Sequence, residues 1–415
     1  MRDVRMKGFA ERADVEEVEH FLAAKSSVLS AERVPLTDCV GRVLAEAIEA
    51  EVDVPGFARS AMDGYAIRGE DSFGASAYEP VEFALLGHSL SGQPFVGRVE
   101  PGTAVRVMTG APLPEGADAV VMAEVCSEEG DRLRVGEAVA PRKHVGAVGE
   151  DIRQGQMVLS TGRRLRAQDA GLLASIGVAE PRCVRQPRVR LVVTGDELLP
   201  AGSRPEPPRI VDSNSVVLRA LVARDGGEVL PFEILPDRPE VIREALAAPG
   251  SDVVLVSGGS SVGLEDHAPR LVAELGSLDF HGVSMRPSSP AGVGRVEGRF
   301  VFLLPGNPVS CLCAYEFFAG PTLRALGGRP RRWPHRRVTL PLSRKIVSAV
   351  GRTDYVRVAV EAGHVVPLAT SGASILSSTV RASGCVIVPR EQEGMPDGTR
   401  VEVLLYDEEV PEGLA

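Results

Sequence analysis

Arg299-Phe-Val-Phe-Leu-Leu304, Pro305-Gly-Asn-Pro308 and Val309-Ser-Cys-Leu-Cys-Ala-Tyr-Glu-Phe-Phe318 follow one another without a break. The first block is an apolar run of strand length, the second a rigid turn, and the third has the spacing of an amphipathic helix. A strand that enters a helix through such a turn gathers backbone N–H groups at the helix start, where an anion is favoured. A second junction of this kind lies upstream. Ser251-Asp-Val-Val-Leu-Val-Ser257 runs into Gly258-Gly-Ser-Ser-Val-Gly263, and helical spacing follows from Asp266 to Leu275. Two small-residue loops at strand ends imply one pocket at the carboxyl edge of a parallel sheet.

Outward from these junctions, strand-like and helix-like stretches alternate at 188–193, 215–223, 228–235, 238–247, 251–257 and 299–318. Such alternation implies a three-layer α/β domain with a largely parallel sheet. Near the N-terminus, Asp14 with Glu17 has the form of a capping box, and Val15, Val18, Phe21 and Leu22 make an apolar helical stripe. From about 51 to 142 the pattern changes to short β-like runs, such as Val81-Glu-Phe-Ala-Leu-Leu86 and Ala104-Val-Arg-Val-Met108. Helical character returns at 167–176, so the β-rich stretch reads as an insertion between two parts of a helical segment. Gly327-Gly-Arg-Pro-Arg-Arg-Trp-Pro334 reads as a linker, and β-like runs at 337–342, 353–360, 384–389 and 399–405 follow it. The expected fold is therefore multidomain α/β plus β. A helical segment occupies 1–48 and 143–180, a β-rich insertion 49–142, a three-layer α/β domain 181–328, and a small β-barrel-like domain 329–415.

With 44% hydrophobic and 25% charged residues the composition is globular, and a formal charge of −10 argues against general nucleic-acid binding. Cys39, Cys126, Cys183, Cys311, Cys313 and Cys385 show no CxxC spacing, which speaks against structural zinc and for a reducing, cytoplasmic setting. No apolar run approaches the roughly 20 residues of a membrane helix, and the first residues lack a signal-peptide core. A soluble protein without a membrane role is the expectation.

The candidate chemistry sits at the loops. Thr194-Gly-Asp-Glu197 puts two carboxylates at a strand end, where they can hold Mg²⁺ or serve as ordinary helix-start acids. Asp212, in Arg209-Ile-Val-Asp-Ser-Asn214, precedes the next helix, and Ser213 or Asn214 reads equally as its cap. The small residues from Gly258 to Gly263 let backbone N–H groups curl around an oxyanion, with Asp266 as a further metal ligand or acceptor, or they form a tight turn without a ligand. Ser60-Ala-Met-Asp-Gly-Tyr65 presents Asp63 at a bend. Met108-Thr-Gly-Ala-Pro-Leu-Pro114 and Gly149-Glu-Asp151 are turns by composition. Arg329, Arg331, Arg332, Arg336 and Arg337 around Trp333 fit a solvated linker. Cys311 and Cys313 fit inert thiols on an apolar helix.

Taken in order, Ser60-Ala-Met-Asp-Gly-Tyr-Ala66, Met108-Thr-Gly-Ala-Pro112, Gly149-Glu-Asp151, Thr194-Gly-Asp-Glu197, Asp212 with Asn214, Ser257-Gly-Gly259 with Ser261-Val-Gly263 and Asp266, and Pro305-Gly-Asn-Pro308 resemble the molybdopterin molybdenumtransferase family, which is related to the C-terminal part of gephyrin. The resemblance spans roughly residues 10 to 405. It implies an elongated homodimer whose α/β domain binds molybdopterin, and in which the inserted module of one chain helps complete the pocket of the other. The implied reaction takes adenylylated molybdopterin and molybdate, uses Mg²⁺ and releases AMP. Asp63, Thr109, Asp151, Glu197, Asp212 and Asp266 would be catalytic, with Glu197, Asp212 and Asp266 at the metal. Arg59, Ser60, Gly258, Gly259, Ser260, Ser261, Arg286, Ser289, Pro305, Gly306, Asn307 and Pro308 would bind substrate. The resemblance also implies the molybdopterin adenylyltransferase and apo-molybdoenzymes as partners.

The departures from the family pattern concern charge. Ala58-Arg59 stands where the family carries an acid and an amide, Gly146-Ala147-Val148 where it carries arginines, and Met285-Arg286-Pro287-Ser288-Ser289-Pro290 where it carries two lysines. One unit charge about 4 Å from an anion is worth on the order of 4 kcal/mol at an intermediate dielectric, before desolvation. Arg59 is the expected compensating cation, and Arg295 a second candidate. Two functions are expected from this balance: a working molybdenum insertase, or a weak or inactive paralogue that binds molybdopterin or the finished cofactor for storage, delivery or sensing. A gephyrin-like interaction scaffold is a third class, for which the residue pattern offers no groove.

Overall fold

The computed structural model describes residues 12–258, 267–369 and 371–407. The chain divides into two units, one formed by Met1–Glu32, Gly41–Val43 and Cys183–Ala415, the other by Arg33–Val40 and Leu44–Arg182.

In the first unit, helix α1 (Val15–Lys25) begins after Asp14 as expected, but the Asp14 carboxylate makes no capping bond and pairs with Arg390 instead. The expected capping box does not form, because a charge-assisted contact with a guanidinium outcompetes a neutral amide. The α/β elements that follow are β1 (Arg188–Thr194), α2 (Asn214–Arg224), α3 (Pro239–Ala247), β2 (Val253–Ser257), α4 (Ala268–Leu275), β3 (Gly276–His281), β4 (Met285–Arg286), β5 (Gly292–Val296) and β6 (Arg299–Leu304). β1, β2 and β6 are parallel neighbours, with Val189 opposite Val253 and Val253 opposite Phe300. Every residue of β2 is buried. Alternate side chains serve opposite cores: Val253 and Leu255 pack with Leu218 and Val222, whereas Val254 and Val256 pack with Ile242, Leu246 and Leu271. Both faces are covered, so the strand reads as an unbroken apolar run.

Two details depart from the expected pattern. The 228–235 stretch forms two short strands, Glu228–Val229 and Ile234–Leu235, each parallel to β1. Pro231 lies between them and has no N–H to give to the ladder. At the other edge β5 and β3 add an antiparallel pair beside β6, with Gly276 opposite Val296. After β6 the chain turns through Pro305 to Asn307 into α5 (Pro308–Ala314). It continues through a π-helical turn, Tyr315–Ala319, into α6 (Gly320–Leu326).

The C-terminal strands are β7 (Arg336–Pro341), β8 (Thr353–Glu361), β9 (His364–Ala369), β10 (Gly384–Val388) and β11 (Arg400–Leu405). They form a sheet in the order β4-β8-β10-β11-β7, with β9 beside β8. Its edge strand β4 comes from the α/β part of the chain, and Arg286 stands directly opposite Asp354. On β8, Val356 and Val358 face the C-terminal core, whereas Tyr355 joins the core that holds Cys313 and Phe317.

The second unit contains a six-stranded sheet, ordered Ala119–Met122, Gly64–Ile67, Thr103–Val107, Val81–Ser89, Arg132–Val135, Cys126–Glu129. Tyr65, Ile67, Phe83, Ala104 and Leu133 fill one of its cores. Helix Ala167–Ser175 also lies here. Asp169 accepts from the Arg166 amide at 2.9 Å and from the Arg163 guanidinium at 2.8 Å, and these bonds hold its carboxyl well below the usual range.

Candidate functional site

The carboxyl ends of β1, β2 and β6 bring Thr194, Ser257 and Leu304 to one edge, and the residues after them close in on each other. Gly258 has φ +97°, and a Cβ on it would stand 2.4 Å from the Thr194 carbonyl oxygen. Only glycine fits there. Gly306 is a neighbour at ordinary contact distance, since a Cβ on it would lie 3.8 Å from the Gly258 Cα. Asn214, at the first turn of α2, ties these loops together. Its Nδ2 donates to Ser257 Oγ at 3.0 Å and to the Gly306 carbonyl at 2.8 Å.

Asp212 lies beside this knot and is 5% exposed. Its amide donates to the Leu199 carbonyl at 2.9 Å, and its Oδ1 accepts from the Ser215 amide at 3.1 Å. Glu197 is exposed on the loop after β1. Cys311 also reaches the knot. Burial pushes its thiol up to about 12 although Ser257 hydrogen-bonds it, so it is inert.

The start of α5 is a narrower anion site than the sequence suggests. Pro308 has no N–H, and the Val309 amide donates to the Ala373 carbonyl at 2.9 Å. Among the described residues this leaves the amides of Gly306, Asn307 and Ser310 for an anion. Asn307 precedes the helix without a side-chain capping bond.

The cations are arranged in an order that the sequence concealed. Arg286 pairs with the fully buried carboxylate of Asp354, which also accepts from Ser348 Oγ at 2.7 Å and stands 3.2 Å from Arg352 Nε. Arg295 is engaged by Asp279 at 3.0 Å. Arg357, three residues beyond Asp354 and therefore on the opposite face of β8, is fully buried. Its Nη2 donates to the Ser371 carbonyl, but Nε and Nη1 have no partner among the described residues. Burial pulls this guanidinium down from its usual value. The segment that receives Arg357 at Ser371 receives the first turn of α5 two residues later, at Ala373. Ser289 Oγ is likewise buried and unpartnered, and Ser288 Oγ donates to the Ser310 carbonyl in α5. Arg357 escaped the sequence reading because an arginine in a strand of 353–360 looks like an outward-facing residue. Asn214 escaped because it looked like a cap.

In the second unit, Asp63 Oδ1 accepts from the Thr109 amide at 2.7 Å and from the Thr109 hydroxyl at 2.8 Å. These two bonds, the amide first, hold its carboxyl below the usual range. Two motifs 46 positions apart thus form one loop cluster. Ser60 is buried, and Arg59 beside it pairs with Glu150 through Nη2 at 2.5 Å. Gly146 permits this pair, because a Cβ there would meet Glu150 Oε2 at 3.0 Å and Arg59 Cγ at 3.1 Å. The exposed Asp151 is held through its amide on the Val54 carbonyl.

Gly259, Ser260, Ser261 and Asp266 lie outside the described residues, so three of the four small residues expected to cradle an anion and one of the three expected metal ligands have no placement. Among the described residues no three His, Cys, Asp or Glu side chains converge as a metal cage. An open hollow of about 1010 Å³ in the second unit is lined by Glu46, Glu49, Glu51 and Gln154. None of the candidate residues lines it, and its carboxylates oppose an anionic substrate. No helix among the described residues is long and apolar enough to cross a membrane.

Comparison with known proteins places three family descriptions along the chain: MoeA N-terminal region (domain I and II) at 13–177, probable molybdopterin binding domain at 190–325, and MoeA C-terminal region (domain IV) at 339–406. A molybdopterin molybdenumtransferase of Haemophilus influenzae is 32% identical over 383 residues, covering 90% of this chain and 93% of the relative. A putative molybdopterin biosynthesis protein of Methanocaldococcus jannaschii is 32% identical over 408 residues, covering 95% and 96%. The crystal structure of a molybdopterin biosynthesis MoeA protein from Pyrococcus horikoshii superposes with a TM-score of 0.82 at 31% identity, over 96% of this chain and 100% of that one.

Proposed function

The chain belongs to the MoeA family of molybdopterin molybdenumtransferases, and from that premise we propose that it inserts molybdenum from molybdate into adenylylated molybdopterin and releases AMP. The observation that carries this reading is the knot at the strand ends: a buried carboxylate, Asp212, beside loops brought together at Gly258 and fixed by Asn214 on Ser257 and Gly306. An acid next to bare amides suits a ligand that brings phosphate and a divalent cation together.

Mg²⁺ fits the donor set. The available side chains are oxygen donors, Glu197 and Asp212, and the Thr194 hydroxyl at the same edge is buried without a partner. Glu197 and Asp212, with Asp266, would hold the ion, which when bound neutralises phosphate charge and favours departure of the nucleotide. The chain itself binds and orients. The Gly306, Asn307 and Ser310 amides take phosphate oxygens, and the open Nε and Nη1 of Arg357 take an oxyanion. Arg286 and Ser289 shape the wall beside α5. Asp63, Thr109, Arg59 and Ser60 are the substrate-facing residues assigned to the β-rich module, and Asp151 the one assigned to the helical segment after it. No covalent nucleophile is needed, in keeping with the inert Cys311.

The second reading, a paralogue that binds without turnover, draws on one observation. Both substitute cations, Arg59 and Arg286, already face carboxylates. The experiment that separates the two mixes the purified protein with adenylylated molybdopterin, Mg²⁺ and low molybdate, then follows AMP release and activation of a molybdenum-free enzyme. Release with activation supports the insertase, and binding without release replaces it with the second reading. A cytoplasmic homodimer, contacts with the adenylyltransferase and apo-molybdoenzymes, and the four-module layout of 1–48 with 143–180, 49–142, 181–328 and 329–415 belong to the same proposal.

A further inference from the structure

Asn214 has one polar atom that the fold does not use. The side chain is 8% exposed, and its amide nitrogen spends both hydrogens, on Ser257 Oγ and on the Gly306 carbonyl. The carbonyl of Gly306 can only accept, so the nitrogen end of the amide must face it and the oxygen end must face away. That oxygen, Oδ1, is buried and has no donor among the described residues. Thr194 Oγ1 is also buried without a partner, and a Cβ on Gly258 would stand 3.2 Å from it. Buried oxygens without donors are rare in folded chains and are costly unless a ligand or water supplies one.

Phosphate and molybdate oxygens at neutral pH are acceptors, so they cannot satisfy Asn214 Oδ1. A pterin ring carries N–H donors and can. We propose that Asn214 orients the bound pterin nucleotide, its Oδ1 accepting from a ring N–H so that the heterocycle lies against the start of α2 and the phosphates lie toward the start of α5. This rests on the functional reading above and adds the direction in which the ligand lies. Asn214 then does two separable things: its nitrogen braces two loops, and its oxygen reads the ring.

The test is a fluorescence titration of the full chain with two probes, pterin and 1,3-dimethyllumazine, a pteridine with no N–H donor. The wild type should bind pterin at least about tenfold more tightly, the effect of one satisfied buried acceptor. Asn214→Leu, which removes the acceptor at similar volume, should bring the ratio to about one. Asn214→Asp keeps the acceptor and should keep the preference, even if loss of the brace weakens binding of inorganic pyrophosphate. A wild-type ratio near one overturns the proposal, as does a folded Asn214→Leu that still prefers pterin. If the leucine variant does not fold, the wild-type ratio and the aspartate variant decide, since loss of preference in the latter is equally fatal. AMP release on the same preparation separates the two levels. Release with an Asn214-independent ratio overturns only the orientation, whereas an Asn214-dependent ratio without release supports the orientation and removes the insertase reading.

Discussion

Replacing Glu316 by Gln should destabilise the first unit in a way that disappears in acid. Glu316 sits in the π-helical turn and is 3% exposed. Arg224 grips it with Nη1 to Oε1 at 2.6 Å and Nη2 to Oε2 at 2.9 Å, and His335 Nε2 stands 3.4 Å away. Burial alone would push this carboxyl up. The approach of His335 and the two-pronged contact with Arg224 outweigh it and hold the group at about 2, against an ordinary 4.5. Holding the group at about 2 rather than 4.5 corresponds to roughly 3 kcal/mol favouring the ionised form in the folded chain. Because the folded value is depressed, that contribution is fully present above about pH 4.5 and is lost as pH falls toward 2. Glutamine keeps the volume but not the charge, so the variant should lose about 3 kcal/mol at pH 7.

Trp333 is the sole tryptophan, and its ring lies edge-on to Phe317 with centroids 4.9 Å apart, next door to Glu316 in sequence. Urea unfolding followed by its fluorescence therefore reports on this region. The gap between wild type and Glu316→Gln should shrink by about 2 kcal/mol between pH 7 and pH 3, since most of the wild-type advantage is titrated away in that window. A gap below about 1 kcal/mol at pH 7 would refute the claim that the contact outweighs the cost of burying the charge. A gap of constant size from pH 7 to pH 3 would show instead that Glu316 acts by shape.

Three further outcomes follow from the geometry. Gly258→Ala forces a Cβ to 2.4 Å from the Thr194 carbonyl at φ +97°, so calorimetric titration with AMP or pyrophosphate should show at least about a tenfold loss of affinity. Thr109→Val removes the hydroxyl bond to Asp63 but keeps the amide bond, so a carbon-13 NMR titration should find the Asp63 carboxyl raised toward, but still below, its ordinary value. In native protein at pH 8 no thiol should react rapidly with an aromatic disulfide reagent: five cysteines are buried, and burial pushes the half-buried Cys126 up to about 11. All six should titrate once the chain is unfolded.

The parallel sheet was legible because β2 and β6 are covered on both faces, so polar residues stand only at their ends, Ser257 and Arg299, and leave the runs between them apolar. The end of β2 was legible for a related reason, since the close approach of Gly258 to the Thr194 carbonyl leaves no room for a Cβ. What the pattern hid was the edge. β3 and β5 alternate only weakly, with glycines at 276 and 294 where neighbouring backbone leaves no room for a Cβ and at 292 where the fit would be tight, and β4 is two residues long. Nothing local to Met285 and Arg286 says that they will pair with Thr353 and Asp354 some 68 positions later.

The same pairing decides how the charges must be read. From sequence, Arg286 stands where a family cation belongs and Arg357 is one residue in an alternating strand. In the folded chain, register puts Arg286 opposite Asp354 and so supplies it with a counter-charge, while the two-residue period of β8 turns Arg357 to the other face, with Tyr355 and toward Cys313. A guanidinium buried there with Nε and Nη1 unsatisfied is unfavourable for the empty protein and would become favourable if an oxyanion bound it, which is the condition for differential binding rather than for stability. Arg357→Lys should then be a poor substitute, because a point charge reaches one oxygen where the planar fork reaches two. A lysine variant that matches wild-type molybdate dependence would return the anion's counter-charge to Arg59 or Arg286, each of which must first give up a carboxylate to provide it.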